Sequence, residues 1–409
     1  MEARGILKRG PDGTLRLPAL ATAHSHAFQR ALRGRAQRPS RGDSDDFWSW
    51  RSQMYEVASS LTPETLRSTS AVAFRELARA GVRTVGEFHY LHHQADGAPY
   101  EDRTVLADAV ISAAKDAGLR VALLRVAYHR DGPGRPAHGV QRRFCDAAVD
   151  DVLRDVDDLR AKWASDRDVI VGLAPHSVRA VPAGWIPALH EYAALHRLPF
   201  HMHVAEQERE VGECVAETGR RPVELLADVG ALSERFVAVH ATNIAPHEAR
   251  LLGAAGAFAC ICSTTERDLG DGLPDVHSLR IAGVRLCTGV DSHVLVDPIE
   301  ELRALETIAR VRQRSRVTFR PSGQTPAERL WSEGSFEGAA ACGFDGPGGS
   351  LVVRRDHPML DLVADDVLLD AIVFGGGPGL VEGIDRCAEP FLEGSPDARS
   401  LGSSLASGR

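Results

Sequence analysis

Short apolar runs alternate with amphipathic stretches from residue 17 to about residue 315. The runs fall at 17–24, 84–90, 120–128, 169–176, 199–204, 236–240, 257–262 and 285–290. Each is five to nine residues long, rich in Val, Leu, Ile and Ala, and apolar along most of its length. Parallel strands buried on both faces read this way. The stretches between them, such as 63–80, 102–117, 150–164 and 223–228, carry helical periodicity. The last, 298–311, puts Ile299, Leu302, Leu305 and Ile308 on one stripe. Asp297 suits its N-cap, Pro298 its first position, and Glu300 and Glu301 its first turn. Eight strand–helix units in series predict an α/β fold, a (β/α)8 barrel whose active site lies at the C-terminal ends of the strands.

Three insertions interrupt the alternation, at 38–46, 131–138 and 264–274. All fall on the strand-to-helix side, and each is expected to be a loop. The first leads into an aromatic segment, Phe47-Trp48-Ser49-Trp50-Arg51, and 47–55 is expected to be exposed loop as well. Beyond residue 345 the pattern changes. Gly346-Pro347-Gly348-Gly349 reads as a linker, and 351–353 and 371–373 as short strands of a small β unit. The expected division is 1–16 and 346–392 for that small β domain, 17–345 for the barrel, and a Gly/Ser-rich tail at 393–409 without a packed core.

Composition narrows the class. The 409 residues are 44% hydrophobic and 25% charged, as in ordinary globular chains, with a net charge of −8. That charge argues against a general binder of nucleic acid or membrane surfaces. No apolar run reaches membrane-spanning length, and residues 1–11 lack a signal-peptide core. A cytoplasmic location is therefore expected, with the seven cysteines reduced. An anionic ligand would have to be held by local arginines.

The candidate chemistry sits at the strand ends. His24 and His26 end the first run two residues apart, so they point the same way. The fifth run ends in His203, with Glu206 three residues on; the sixth ends in His240; Asp291 follows the eighth. In a barrel these ends ring one cavity. His24, His26, His203 and Asp291 make a ligand set suited to one divalent metal ion, zinc above others. Such an ion acidifies a bound water. Glu206 is the candidate acid/base, and His240 and Asp291 the groups that assist it.

This pattern resembles the amidohydrolase superfamily in its mononuclear aminohydrolase branch. Dinuclear relatives bridge two metals with a lysine near the end of the fourth strand. The three lysines, Lys8, Lys115 and Lys162, lie on none of the predicted strands. Within the superfamily, several segments look like those of the formimidoylglutamate deiminases: residues 24–31, 47–51 with Met54-Tyr55, 87–93, 174–181, and 264–266 with 269–272. The resemblance spans about 17–315. It implies hydrolysis of N-formimidoyl-L-glutamate to N-formyl-L-glutamate and ammonia in histidine degradation, and a homodimer. It also implies a β-sandwich beside the barrel, shortened here because 23 residues precede His24.

Such a substrate carries two carboxylates and an amidine-like head. Arg179, just past the fourth strand, and Arg51, in the aromatic segment, offer planar forks for carboxylates. Tyr90, Gln29 and His176 add hydrogen-bond partners. The alternatives are an aminohydrolase of another amidine, a guanidino compound or a nucleobase, and a barrel kept as a non-catalytic subunit.

Overall fold

The computed structural model describes residues 6–10, 12–39, 45–320 and 323–387. The stretch 393–409 and part of the first insertion, 40–44, lie outside them. Eight parallel strands follow one another in a single sheet: β1 (Leu20–Ser25), β2 (Val82–His89), β3 (Arg120–Ala127), β4 (Val169–Pro175), β5 (Phe200–Val204), β6 (Phe236–His240), β7 (Phe258–Ile261) and β8 (Arg285–Thr288). Every strand is flanked by its neighbours in sequence, as series-connected β/α units require. Helices fill the intervals, from Pro63–Arg79 to Pro298–Gln313. The sheet closes where β8 returns to β1. There His26 N donates to Asp291 O at 3.0 Å and Asp291 N donates to His24 O at 3.1 Å. The seam of the barrel thus runs through three of the candidate metal ligands.

A second sheet is small and antiparallel. Its order is Lys8–Arg9, Leu15–Pro18, Ser350–Val353, Val381–Asp385. The first predicted strand, 17–24, is therefore two pieces. Leu15–Pro18 pairs with Ser350–Val353, and the chain changes sheets at Ala19, whose N–H donates to Gly349 O at 3.0 Å. Apolar continuity hid the break, because both pieces are buried.

Three further expectations are corrected. The aromatic segment is not loop: it opens a helix, Phe47–Ser60. Asp46 caps it by accepting from Trp48 N and Ser49 N, both at 3.0 Å. Only Phe47, Met54 and Ala58 of this helix are buried, so no apolar stripe announces it. The insertion after β7 likewise contains a helix, Ser263–Leu269. Finally, 371–373 lies in the helix Leu368–Gly375, which buries Leu368, Leu369, Ile372 and Val373. An apolar run of three residues fits either period.

The floor of the barrel is plugged by the segment from Pro326 to Ala341, a helix that passes through a π turn at Glu333–Glu337. Trp331, fully buried, donates its indole N–H to Pro18 O at 3.0 Å. His201 Nε2 and Ala341 O are 2.8 Å apart. With the floor closed, the open end of the barrel is the end that carries the candidate residues.

Candidate active site

The strand ends converge as the spacing predicts. His24 Nε2 lies 3.1 Å from His203 Nε2 and 3.5 Å from Asp291 Oδ1. His26 Nε2 is 3.5 Å from the same carboxylate oxygen. The ring nitrogens of His24, His26 and His203 lie within 4.8 Å of one another. All four side chains are buried.

The donor chemistry fits a divalent ion. His26 Nδ1 donates to Phe88 O at 2.9 Å and His203 Nδ1 donates to His176 O at 3.1 Å. Both bonds fix the tautomer that leaves the Nε2 lone pair facing inward. Burial holds His24 near 3 and pushes His203 well below the ordinary histidine range, so the rings are neutral. Burial also works against the charge of Asp291, but its bond to His24 and the neighbouring His24, His26 and His240 hold it far below the usual carboxylate range. Three imidazoles and a carboxylate, converging on one point with the Nε2 lone pairs of His26 and His203 facing inward, are a donor set that could hold a cation. No lysine lies on β4.

Backbone strain clusters here. Ala205, His240, Ala241, Asp291 and His293 all have positive φ, between 50 and 70°. Residues other than glycine pay for that region, and a cluster of them at strand ends points to a functional constraint.

His240 stands beside the cluster, with its ring stacked on His203 at 5.4 Å. Its Nε2 is 3.7 Å from Glu206 Oε1 and 3.8 Å from Asp291 Oδ2. Its Nδ1 faces Glu266 Oε1 at 3.3 Å. Burial opposes protonation of His240, yet the three carboxylates outweigh it and raise the group to about 10. Burial and then Asp291 hold Glu206 above its ordinary value, against the pull of His240.

One cavity is lined by His26, His203, Glu206, His240 and Asp291 on one wall and by Gln29, Arg51, Tyr90, His176 and Arg179 on the other. His24 lies behind His203 and is not part of the lining. Gln29 Nε2 donates to Tyr90 OH at 2.9 Å, which leaves Gln29 Oε1 buried and without a partner. Arg51 Nη2 donates to Asp131 Oδ1, while Arg51 Nη1 is buried and unpaired. Arg179 Nη1 donates to Asp131 O at 3.3 Å. Sequence patterns assigned no role to Asp131, Gln141, Tyr55 and Tyr128, which hold this wall together, or to Glu266 beside His240, although Tyr55 and Glu266 stand in the segments that carry the resemblance. Asp131 lies in an insertion on the catalytic side, so its place was readable and its partner was not. His92 and His93 pack in loops, with Nε2 atoms 2.9 Å from Val126 O and Cys145 O.

The chain belongs to the amidohydrolase family, whose signature matches residues 15–373. It is a hydrolase acting on C–N bonds, and its reaction class is hydrolytic deamination. Its resemblance to formimidoylglutamate deiminase is shown by the enzyme of that name from Pseudomonas aeruginosa. The two are 37% identical over 372 residues, covering 88% of this chain and 81% of the relative. A 5-methylthioadenosine/S-adenosylhomocysteine deaminase from Syntrophobacter fumaroxidans is 26% identical over 355 residues, covering 87% and 72%. Among solved structures, an amidohydrolase from Brucella melitensis superposes with a TM-score of 0.82 at 33% identity, covering 91% and 85%. An adenosine deaminase from Xanthomonas campestris with bound zinc shares the fold, with a TM-score of 0.73 at 22% identity, covering 90% and 78%.

Proposed function

We propose that the chain hydrolyses N-formimidoyl-L-glutamate to N-formyl-L-glutamate and ammonia, the deimination of histidine degradation. One observation carries the choice of substrate: two guanidinium groups, the buried Arg179 and the largely buried Arg51, line the same cavity as the histidine–aspartate cluster. A neutral nucleobase gives no reason to bury them, whereas a dicarboxylate pairs with both. The unpaired Arg51 Nη1 is a donor awaiting an acceptor.

His24, His26, His203 and Asp291 would hold one divalent ion, for which zinc suits the donors, and the ion when bound would acidify the hydrolytic water. Arg51 and Arg179 anchor the carboxylates, with His176 beside Arg179. Gln29 and Tyr90 orient the formimidoyl group. Glu206 takes a proton from the attacking water and His240 steadies the oxygen. Addition gives a tetrahedral carbon bearing hydroxyl, hydrogen and two nitrogens. Glu206 returns the proton to the terminal nitrogen, the C–N bond breaks to release ammonia, and the hydroxyl proton passes to Glu206 as the formyl C=O forms. By the family resemblance the active species is a homodimer, which light scattering would read.

The test is ammonia release from N-formimidoyl-L-glutamate set against adenosine, guanine and formamidine. The dicarboxylate is expected to be turned over with by far the highest kcat/KM. Preference for a nucleobase, with no ammonia from the dicarboxylate, would overturn the assignment.

A further inference from the structure

Arg51 does not hang from a barrel strand. It sits on the helix Phe47–Ser60, outside the sheet, so no backbone register fixes its guanidinium. A free arginine side chain has rotamer freedom that binding would have to remove. The structure holds it by other means. We propose that a closed ring of charges and one aromatic, Arg51–Asp131–Arg135–Glu213–Arg209–Trp48, positions Arg51 and thereby sets the preference for an acidic substrate over a neutral amidine. The inference rests on the carboxylate-binding role given to Arg51 and Arg179.

The ring can be followed atom by atom. Asp131 Oδ1 accepts from Arg51 Nη2 and, at 2.6 Å, from Gln141 Nε2. Its other oxygen accepts from Arg135 Nε at 3.2 Å. Arg135 Nη2 donates to Glu213 Oε2 at 3.0 Å, and Arg209 Nε donates to Glu213 Oε1 at 3.0 Å. The Arg209 guanidinium stands 4.3 Å from the Trp48 ring, and the same ring faces Arg51 at 5.0 Å, which closes the circuit. Three elements are tied across the cavity mouth: the helix Phe47–Ser60, the hairpin Arg130–Gly132 with Arg135–Pro136, and the helix Glu208–Thr218.

Asp131 is the shared member. Its side chain holds Arg51 and its main-chain carbonyl accepts from Arg179. Burial works against its charge, but Gln141, Arg51 and Arg135 keep its carboxyl at about 2. It is therefore a fixed anion that occupies one edge of Arg51 and leaves Nη1 for substrate. Asp131 and Glu213 are positioning residues. The inner pair is well buried, with side-chain exposures of 11% and 15%, while Arg135 and Arg209 are 42% and 53% exposed. The outer arc should accordingly be weaker and sensitive to salt.

Steady-state kinetics of the intact enzyme with N-formimidoyl-L-glutamate and with carboxylate-free formamidine test the ring. Asp131→Asn is expected to raise KM for the dicarboxylate roughly tenfold, with kcat changed far less and formamidine turnover little affected. Glu213→Gln should raise the same KM about two- to fivefold and flatten its dependence on ionic strength, and Glu213→Asp should restore both. An equal loss on both substrates would mean that Asp131 merely supports the fold, and would overturn the proposal. So would an unchanged KM in Asp131→Asn while Arg51→Ala raises it. A wild type that prefers neutral amidines overturns the functional assignment itself and this inference with it, a result visible before any variant is compared.

Discussion

One wall of the cavity hangs from strand ends, and the other joins Tyr90, His176 and Arg179, which follow the ends of β2 and β4, to Arg51, which is carried by a segment that the barrel does not contain. His24, His26, His203, His240 and Asp291 take their places from backbone pairing, down to the two bonds that join β8 to β1 between His24, His26 and Asp291. Arg51 belongs to a helix inserted after β1, and its partner Asp131 to a hairpin after β3. Side chains, not register, lock that second wall. The difference separates two jobs. The sheet fixes the reacting centre to within the tolerance that proton transfer needs, and the insertions choose what is presented to it.

If that division is right, damage to the two walls should look different in kinetics. The largest effect is expected from stripping the metal. Dialysis against a chelator should abolish ammonia release from every substrate, zinc should restore it, and far-ultraviolet circular dichroism should stay unchanged because the eight-stranded sheet is held without the ion. Next comes Glu206→Gln. A group that only moves protons should cost roughly 10²–10⁴-fold in kcat, with bound metal and substrate affinity retained. Wild-type-like turnover in this variant would remove Glu206 from the chemistry. On the other wall, Arg179→Ala should act mainly through KM. A lost charge-assisted pair is worth about 1.5–3 kcal/mol, or about ten- to 150-fold, and formamidine should be spared. Equal losses on both substrates would break the contrast between the walls.

The same division decided what the sequence revealed. Strand ends are legible because a His-x-His or a terminal Asp has a defined direction once the strand is recognised. His24, His26, His203 and Asp291 needed only the period of two and the count of eight. The Leu15–Pro18 strand was lost in continuous apolar sequence, since a change of sheets at Ala19 leaves no polar mark. The Phe47–Ser60 helix was lost because its start is a capping bond from Asp46 and its buried positions are too few to make a stripe. Arg51 and Arg179 could be named from chemistry and resemblance. Their common support, Asp131, could not, because a partner 80 residues away across a hairpin has no local signature.

The smallest expected effect distinguishes the walls by pH. Behind the strand-end wall, Glu87 on β2 is buried; its Oε2 accepts from Ser25 Oγ at 2.6 Å and its Oε1 from Ala27 N at 2.8 Å. Burial, with a further contribution from Asp291, raises its carboxyl from 4.5 to about 8, against the two hydrogen bonds. A group whose folded value is raised stabilises the fold relative to its ionised form below 4.5, and that contribution is lost as pH climbs through about 8. Asp131 on the other wall is depressed, so its contribution is present above 3.8 and is lost as pH falls through about 2. Between pH 5 and 9 Glu87 should respond and Asp131 should not. Glu87→Gln mimics the protonated acid: the amide oxygen can accept from Ala27 N, and the amide N–H can donate to Ser25 Oγ, which then donates to His293 Nε2 at 2.8 Å. Thermal melting across that range should show a decline with rising pH in the wild type and a flatter curve, by a few degrees at pH 9, in the variant. Parallel curves would mean that Glu87 is ionised throughout, and that the strand-end wall keeps a buried charge beside Asp291.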